Sequence, residues 1–156
     1  MSLFENFSRI TPFLWFDNNA EEAVDFYVSI FRNSRRLSEM RSAADNPSGL
    51  AGAVLTVSFE LDGQRFTAMN GGPGHSFTDA ISLVVLCESQ EEIDHYWSRL
   101  MEGGGEVACG WLKDKFGLSW QVVPANMGEL IKHPKAFQAM MQMKKLDIAA
   151  LRRAAQ

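Results

Sequence analysis

At 156 residues, with 46% hydrophobic and 22% charged side chains, the chain reads as one globular domain whose core needs no disulfide or metal staple. Fifteen Lys and Arg against nineteen Asp and Glu leave a formal charge of −4, which argues against nucleic acid or an anionic membrane surface as the main partner. No apolar run approaches the roughly 20 residues that span a bilayer. The opening Met-Ser-Leu-Phe-Glu-Asn-Phe-Ser-Arg is not expected to act as a signal peptide. Cys87 and Cys109 fit no Cys-x-x-Cys pattern and read as reduced thiols in a cytoplasmic protein.

In chain order, a first strand is expected from Ile10 to Phe16, with Pro12 marking an early or edge position. Glu21-Glu22-Ala23-Val24-Asp25-Phe26-Tyr27 then opens a helix. Its apolar residues Ala23, Phe26, Tyr27 and Ile30 recur at helical spacing, and its acids sit where the helix dipole favours them. Three strand signals follow, Arg35 to Ala43, Ala53 to Leu61 and Arg65 to Asn70, the last two joined by the hairpin signal Asp62-Gly63. Gly71-Gly72-Pro73-Gly74 reads as a joint. A second strand–helix unit runs from Ala80 to Cys87 and then through Glu91-Glu92-Ile93-Asp94-His95-Tyr96-Trp97, with Ser89 as N-cap and Gly103-Gly104-Gly105 as the stop. Strand signals recur at Glu106 to Cys109, near Trp111, and from Leu118 to Pro124. From Asn126 the pattern is helical. His133-Pro134 starts a helix with an apolar face of Phe137, Met140 and Met141, and Asp147 caps a last turn carrying Ile148 and Leu151.

The two helices match: each opens with paired glutamates and places adjacent aromatics at the same distance, followed by Ile30 and Phe31 in one and Leu100 and Met101 in the other. The fold class is therefore α+β: two βαβββ modules, about 9–71 and about 80–124, with a helical tail over 126–156.

The stretches Ile10-Thr-Pro-Phe-Leu-Trp-Phe, Glu22-Ala-Val-Asp-Phe-Tyr, Phe66-Thr-Ala-Met-Asn-Gly-Gly, Asp114-Lys-Phe-Gly-Leu-Ser-Trp-Gln-Val-Val-Pro124 and Lys145-Leu-Asp-Ile148 resemble the PhnB-like branch of the vicinal oxygen chelate superfamily, the glyoxalase, bleomycin resistance and extradiol dioxygenase group. The resemblance covers nearly the whole chain as a single glyoxalase-like domain. It implies curved mixed sheets forming cups and assembly as a homodimer. Members of this branch often carry the label demethylubiquinone methyltransferase. A methyltransferase of the common type needs a glycine-rich turn that opens a helix, and neither glycine cluster here does so.

In metal-using relatives each cup holds a divalent ion on His, Gln and Glu. Carried onto this sequence, those positions fall on Thr11, Ser82, Gln121 and either Met69 or its neighbour Asn70, with the register fixed to one residue. None is an anion or an imidazole, so no metal and no other cofactor is expected. Phe13 and Trp15 share the parity of Thr11, and Trp111 and Gln121 lie on strands of the other module. Together they would line a cup for a small, partly apolar molecule, although the same aromatics could simply fill space between sheets. Glu60, on the polar parity of its strand with Thr56 and Ser58, could face a cup or water, and water is favoured. His75, His95 and His133 read as surface or capping residues. Cys109 would be a nucleophile only with a base or positive group beside it, and Asp114 reads as an Asx turn before it reads as a base.

Three functions remain in view. The first is a metal-free small-molecule-binding protein; the second is a metal-dependent superfamily enzyme (isomerase, lyase or dioxygenase-like), or a methyltransferase as the label says; the third is an interaction protein that uses only its dimer surface.

Overall fold

The computed structural model describes residue 4 and residues 6–156. Its elements are β1 (Phe13–Phe16), α1 (Ala20–Ile30), β2 (Arg35–Arg41), β3 (Val54–Leu61), β4 (Gln64–Asn70), β5 (Ser82–Cys87), α2 (Gln90–Leu100), β6 (Gly105–Glu106), β7 (Trp111–Lys113), β8 (Ser119–Pro124), α3 (Met127–Leu130), α4 (Pro134–Met141) and α5 (Ile148–Ala154). They divide into two compact units, one ending at Ser76 and the other spanning 77–156. Among the described residues, no helix is long and apolar enough to cross a membrane.

The first unit is a four-stranded sheet in the order β1-β4-β3-β2. β1 runs parallel to β4, and the remaining pairs are antiparallel. β1 starts at Phe13 rather than Ile10, because Pro12 has no N–H to give a ladder and only its carbonyl joins in, accepting from Thr67 N at 3.2 Å. Asp62 (φ 47°) and Gly63 (φ 87°) form the left-handed hairpin turn their sequence requires.

α1 covers one face of this sheet. Ala23, Val24 and Tyr27 are buried, and the Tyr27 ring stacks on Phe59, which stacks on Phe66. Leu14, Phe16, Val57 and Leu61 share that core. Arg36 ties β2 to the helix through Glu21 at 3.1 Å and Asp25 at 3.3 Å.

The second unit repeats the plan as β5-β8-β7-β6, with β5 parallel to β8. α2 starts as its sequence dictates: Ser89 Oγ accepts from Glu92 N at 3.2 Å, and the Glu92 carboxylate accepts from Glu88 N at 3.1 Å. Ile93, Trp97 and Leu100 are buried with Leu112, Trp120 and Val122.

β6 is shorter than expected. Cys109 (φ 57°) and Gly110 (φ 87°) leave the extended region, and their N–H groups donate to the Met143 and Lys144 carbonyls, each at 2.8 Å. The tail is further pinned by Gln90, whose amide donates to Leu146 O at 3.0 Å and accepts from Ile148 N at 2.9 Å. Asp147 caps α5 through Ala150 N at 3.0 Å. The expected apolar face of α4 is a correction: Phe137 and Met141 are exposed, and Ala136 is the buried residue of that helix. A short helix contacts its neighbour through whichever stripe the tail's anchors select, and the stripe here is a small one.

Candidate functional site

Pairing register fixes which side chains share a face, because partners across a ladder point the same way. On the first unit's face opposite α1, three rows cross the sheet. Trp15, Met69, Thr56 and Met40 form one; Phe13, Thr67, Ser58 and Ser38 the next; Arg65, Glu60 and Arg35 the third. Phe13, Trp15 and Met69 therefore belong to one surface. Thr11 lies half-buried just ahead of β1.

Asn70 has the other parity and a structural task. Its Oδ1 accepts from Ala20 N at 2.9 Å, tying down the start of α1, and its Nδ2 donates to Val54 O at 3.0 Å. Of the two residues between which the sequence left the register open, Met69 is the one on the Trp15 face.

Trp15 is held rigidly. Its indole N–H donates to Gly72 O at 2.9 Å, His75 meets the ring edge-on at 4.6 Å between centroids, and Gly71 lies directly against the ring. Glu60 does not face open water as the alternation suggested. Its side chain is 12% exposed and is shared by Arg35 at 3.4 Å and Arg65 at 3.5 Å. Parity distinguishes the two faces of a strand but does not reveal which of them is covered.

On the second unit's face opposite α2, Ser82, Val84 and Leu86 are in register with Ser119, Gln121 and Val123, and Trp111 with Gln121. Gln121 Nε2 donates to Ser82 Oγ at 2.9 Å, so two of the sequence-derived site residues are partners of each other. Val84 is 51% and Leu86 64% exposed. At the end of the same face, Lys113 meets Asp79 at 3.1 Å; that ion pair, with a bond from Ser119, draws the Asp79 carboxyl below its usual range.

The remaining candidate groups lie elsewhere. Asp114 accepts from Phe116 N at 2.8 Å and Leu118 N at 3.1 Å on Oδ1, and from Trp120 Nε1 at 2.9 Å on Oδ2, so it organises the turn before β8. Burial, reinforced by Glu92 and Glu88, pushes the Cys87 thiol up to about 12, which leaves almost no thiolate near neutral pH. His95 and His133 are exposed. Among the described residues, no group of three or more His, Cys, Asp or Glu side chains is placed to hold a metal ion.

Two four-stranded mixed sheets, each with its first strand at the edge, parallel to the fourth, and a helix on one face, define the chain as a vicinal oxygen chelate protein. It belongs to the family described as 3-demethylubiquinone-9 3-methyltransferase, which matches residues 8–123, the PhnB-like branch of that superfamily. The PhnB protein of Bacillus cereus is 38% identical with a TM-score of 0.68, the match covering 76% of this chain and 100% of that one. A protein from Pseudomonas aeruginosa is 20% identical, with a TM-score of 0.60 and coverage of 74% and 96%. The fosfomycin resistance protein FosX of Listeria monocytogenes, solved with Mn(II) and sulfate, shares the fold at 16% identity and a TM-score of 0.55, with coverage of 80% and 95%. No curated protein matches the chain.

Proposed function

We propose that this protein binds a small molecule without a metal ion, on the sheet faces opposite the helices, and works as a cytoplasmic homodimer. The observation that carries the reading is the donor set. The family resemblance carries the His, Gln and Glu positions of metal-using relatives onto Thr11, Met69, Ser82 and Gln121. Among the described residues, the side-chain hydrogen bond within this set is the one from Gln121 to Ser82. A divalent ion gives up water for anionic oxygen or imidazole, and neutral hydroxyl, amide and thioether groups offset that loss poorly. These residues do not fit a resident cation. Glu60, the carboxylate on the first unit's face, is already shared by two arginines.

Methyl transfer, the activity in the family's name, finds no support in the glycine clusters, which packing explains. Gly71 makes room for the Trp15 indole, and Gly104 passes against the Lys113 carbonyl. Neither cluster opens a helix that could present backbone N–H groups to a cofactor.

Two measurements test the reading together. Elemental analysis of dialysed protein should find no stoichiometric transition metal, and a thermal-shift screen of small metabolites should find stabilising compounds. A ligand at 100 times its Kd adds about 2.7 kcal/mol, enough to move Tm by several degrees. A tightly held ion, or a screen without a single hit, overturns it.

The homodimer rests on the family resemblance and on the exposed Val84 and Leu86 along edge strand β5. Light scattering should return twice the 17.5 kDa chain mass at micromolar concentration; a monomer at that concentration refutes it.

A further inference from the structure

We propose that the hydroxyl groups at the centre of the first unit's sheet form the hydrogen-bonding floor of its ligand site, with Thr56 donating to a carbonyl-type oxygen on a neutral ligand with an apolar body. The inference rests on the small-molecule reading above and names the class of molecule.

Thr56 is 4% exposed, and its Oγ1 is the one buried side-chain nitrogen or oxygen that has no hydrogen-bond partner among the described residues. Neighbouring hydroxyls are served: Ser58 and Thr67, one row along, bond each other at 3.2 Å. A buried donor without an acceptor costs stability, and such groups in folded proteins mark a place for a water or a ligand. The surroundings of Thr56 indicate which kind. Its row holds Trp15, Met69 and Met40, an indole and two thioethers. Trp15 has already committed its N–H to Gly72 and offers only apolar surface.

The charged row of Arg35, Glu60 and Arg65 is four residues further along β3, roughly 13 Å at about 3.3 Å per residue. Arg41, opposite Val54 one row beyond Thr56, is already bonded to Glu39 at 3.1 Å and to Gly52 O at 3.0 Å. An anion at Thr56 would have to compete for that cation, whereas a neutral acceptor oxygen needs no compensating charge. Met40 and Met69 flank Thr56 directly, and unbranched methionines can swing aside to admit a ligand where rigid side chains could not. Across this face the Trp15 row sets apolar groups around the Thr56 hydroxyl, the next row carries Thr67, Ser58 and Ser38, and Arg65, Glu60 and Arg35 follow. A bound molecule would lay its apolar body along the first row and its oxygen against Thr56.

The test uses methionine-methyl-labelled protein titrated with acetophenone and with ethylbenzene, which share a flat ring and differ by one carbonyl oxygen. The Met40 and Met69 signals report occupancy. Wild type should prefer acetophenone by about fivefold, the worth of one hydrogen bond. Thr56→Val should abolish the preference and raise the Tm of the unliganded protein, and Thr56→Ser should retain the preference. Equal binding of the two probes to wild type, a preference that survives in Thr56→Val, or a lower Tm in that variant each overturn the assignment. If neither compound moves the Met40 or Met69 signals, the small-molecule reading of this face fails first and takes the inference with it.

Discussion

Asp114→Ala should cost about 3–5 kcal/mol of folding stability, because it strips the acceptor from three N–H groups at once. Asp114 is 3% exposed, and its carboxylate receives the Phe116 and Leu118 amides and the Trp120 indole. Alanine leaves those donors without their acceptor beside a buried tryptophan, and each unsatisfied buried donor costs about 1–3 kcal/mol. Asp114→Asn separates the contributions. Its one oxygen can still receive both backbone amides, but its NH2 group faces the Trp120 N–H, so a loss of about 1–3 kcal/mol is expected. Urea denaturation of both variants measures this. A change below 1 kcal/mol for alanine would mean that the turn holds by other means.

The second large effect is expected at Gly71. A Cβ added there would lie within 2.6 Å of three indole carbons of Trp15. The ring cannot retreat freely, since its N–H is bonded to Gly72 and its edge meets His75, and the Gly71 amide is itself fixed to Phe16 O at 2.8 Å. Gly71→Ala should therefore destabilise by about 2–3 kcal/mol, the cost of overpacking a rigid site. In a Trp15→Ala background most of that cost should vanish, and the coupling in the double-mutant cycle is the decisive quantity. Additive losses would show that the clash is relieved by backbone movement instead.

The parts of this fold that were legible in the sequence are those determined within a few residues. Ser89 and Glu92 fix the start of α2, Asp62-Gly63 fixes the β3–β4 hairpin, and the repeated glutamate-pair-and-aromatics pattern identifies both helices. The repeated strand–helix–strand order within each unit followed from the duplication.

Features that depend on distant partners were hidden. The bend at Cys109 and Gly110 exists because Met143 and Lys144 return to accept their amides, more than thirty residues later. The exposure of Phe137 and Met141 depends on how the tail is anchored at Gln90, not on helical periodicity. At the candidate site, strand alternation put Thr56, Ser58 and Glu60 on a polar side and suggested water. That polar side is a largely buried face, and the neglected residue was Thr56. A run of small hydroxyl side chains on one parity, flanked in register by tryptophan and methionine, is the pattern that could have revealed it, but cross-strand register is not visible in one strand's sequence.

Both sheets end in a parallel border strand with greasy side chains turned outward, Phe13 on β1 and Val84 with Leu86 on β5. Such borders are templates for any extended polypeptide that meets them, so the pairing proposed above and clumping would compete for the same strands. If the chain pairs as proposed, a lesion that loosens the pairing would surface as turbidity and loss of yield on heating, before any population of well-behaved single chains accumulates.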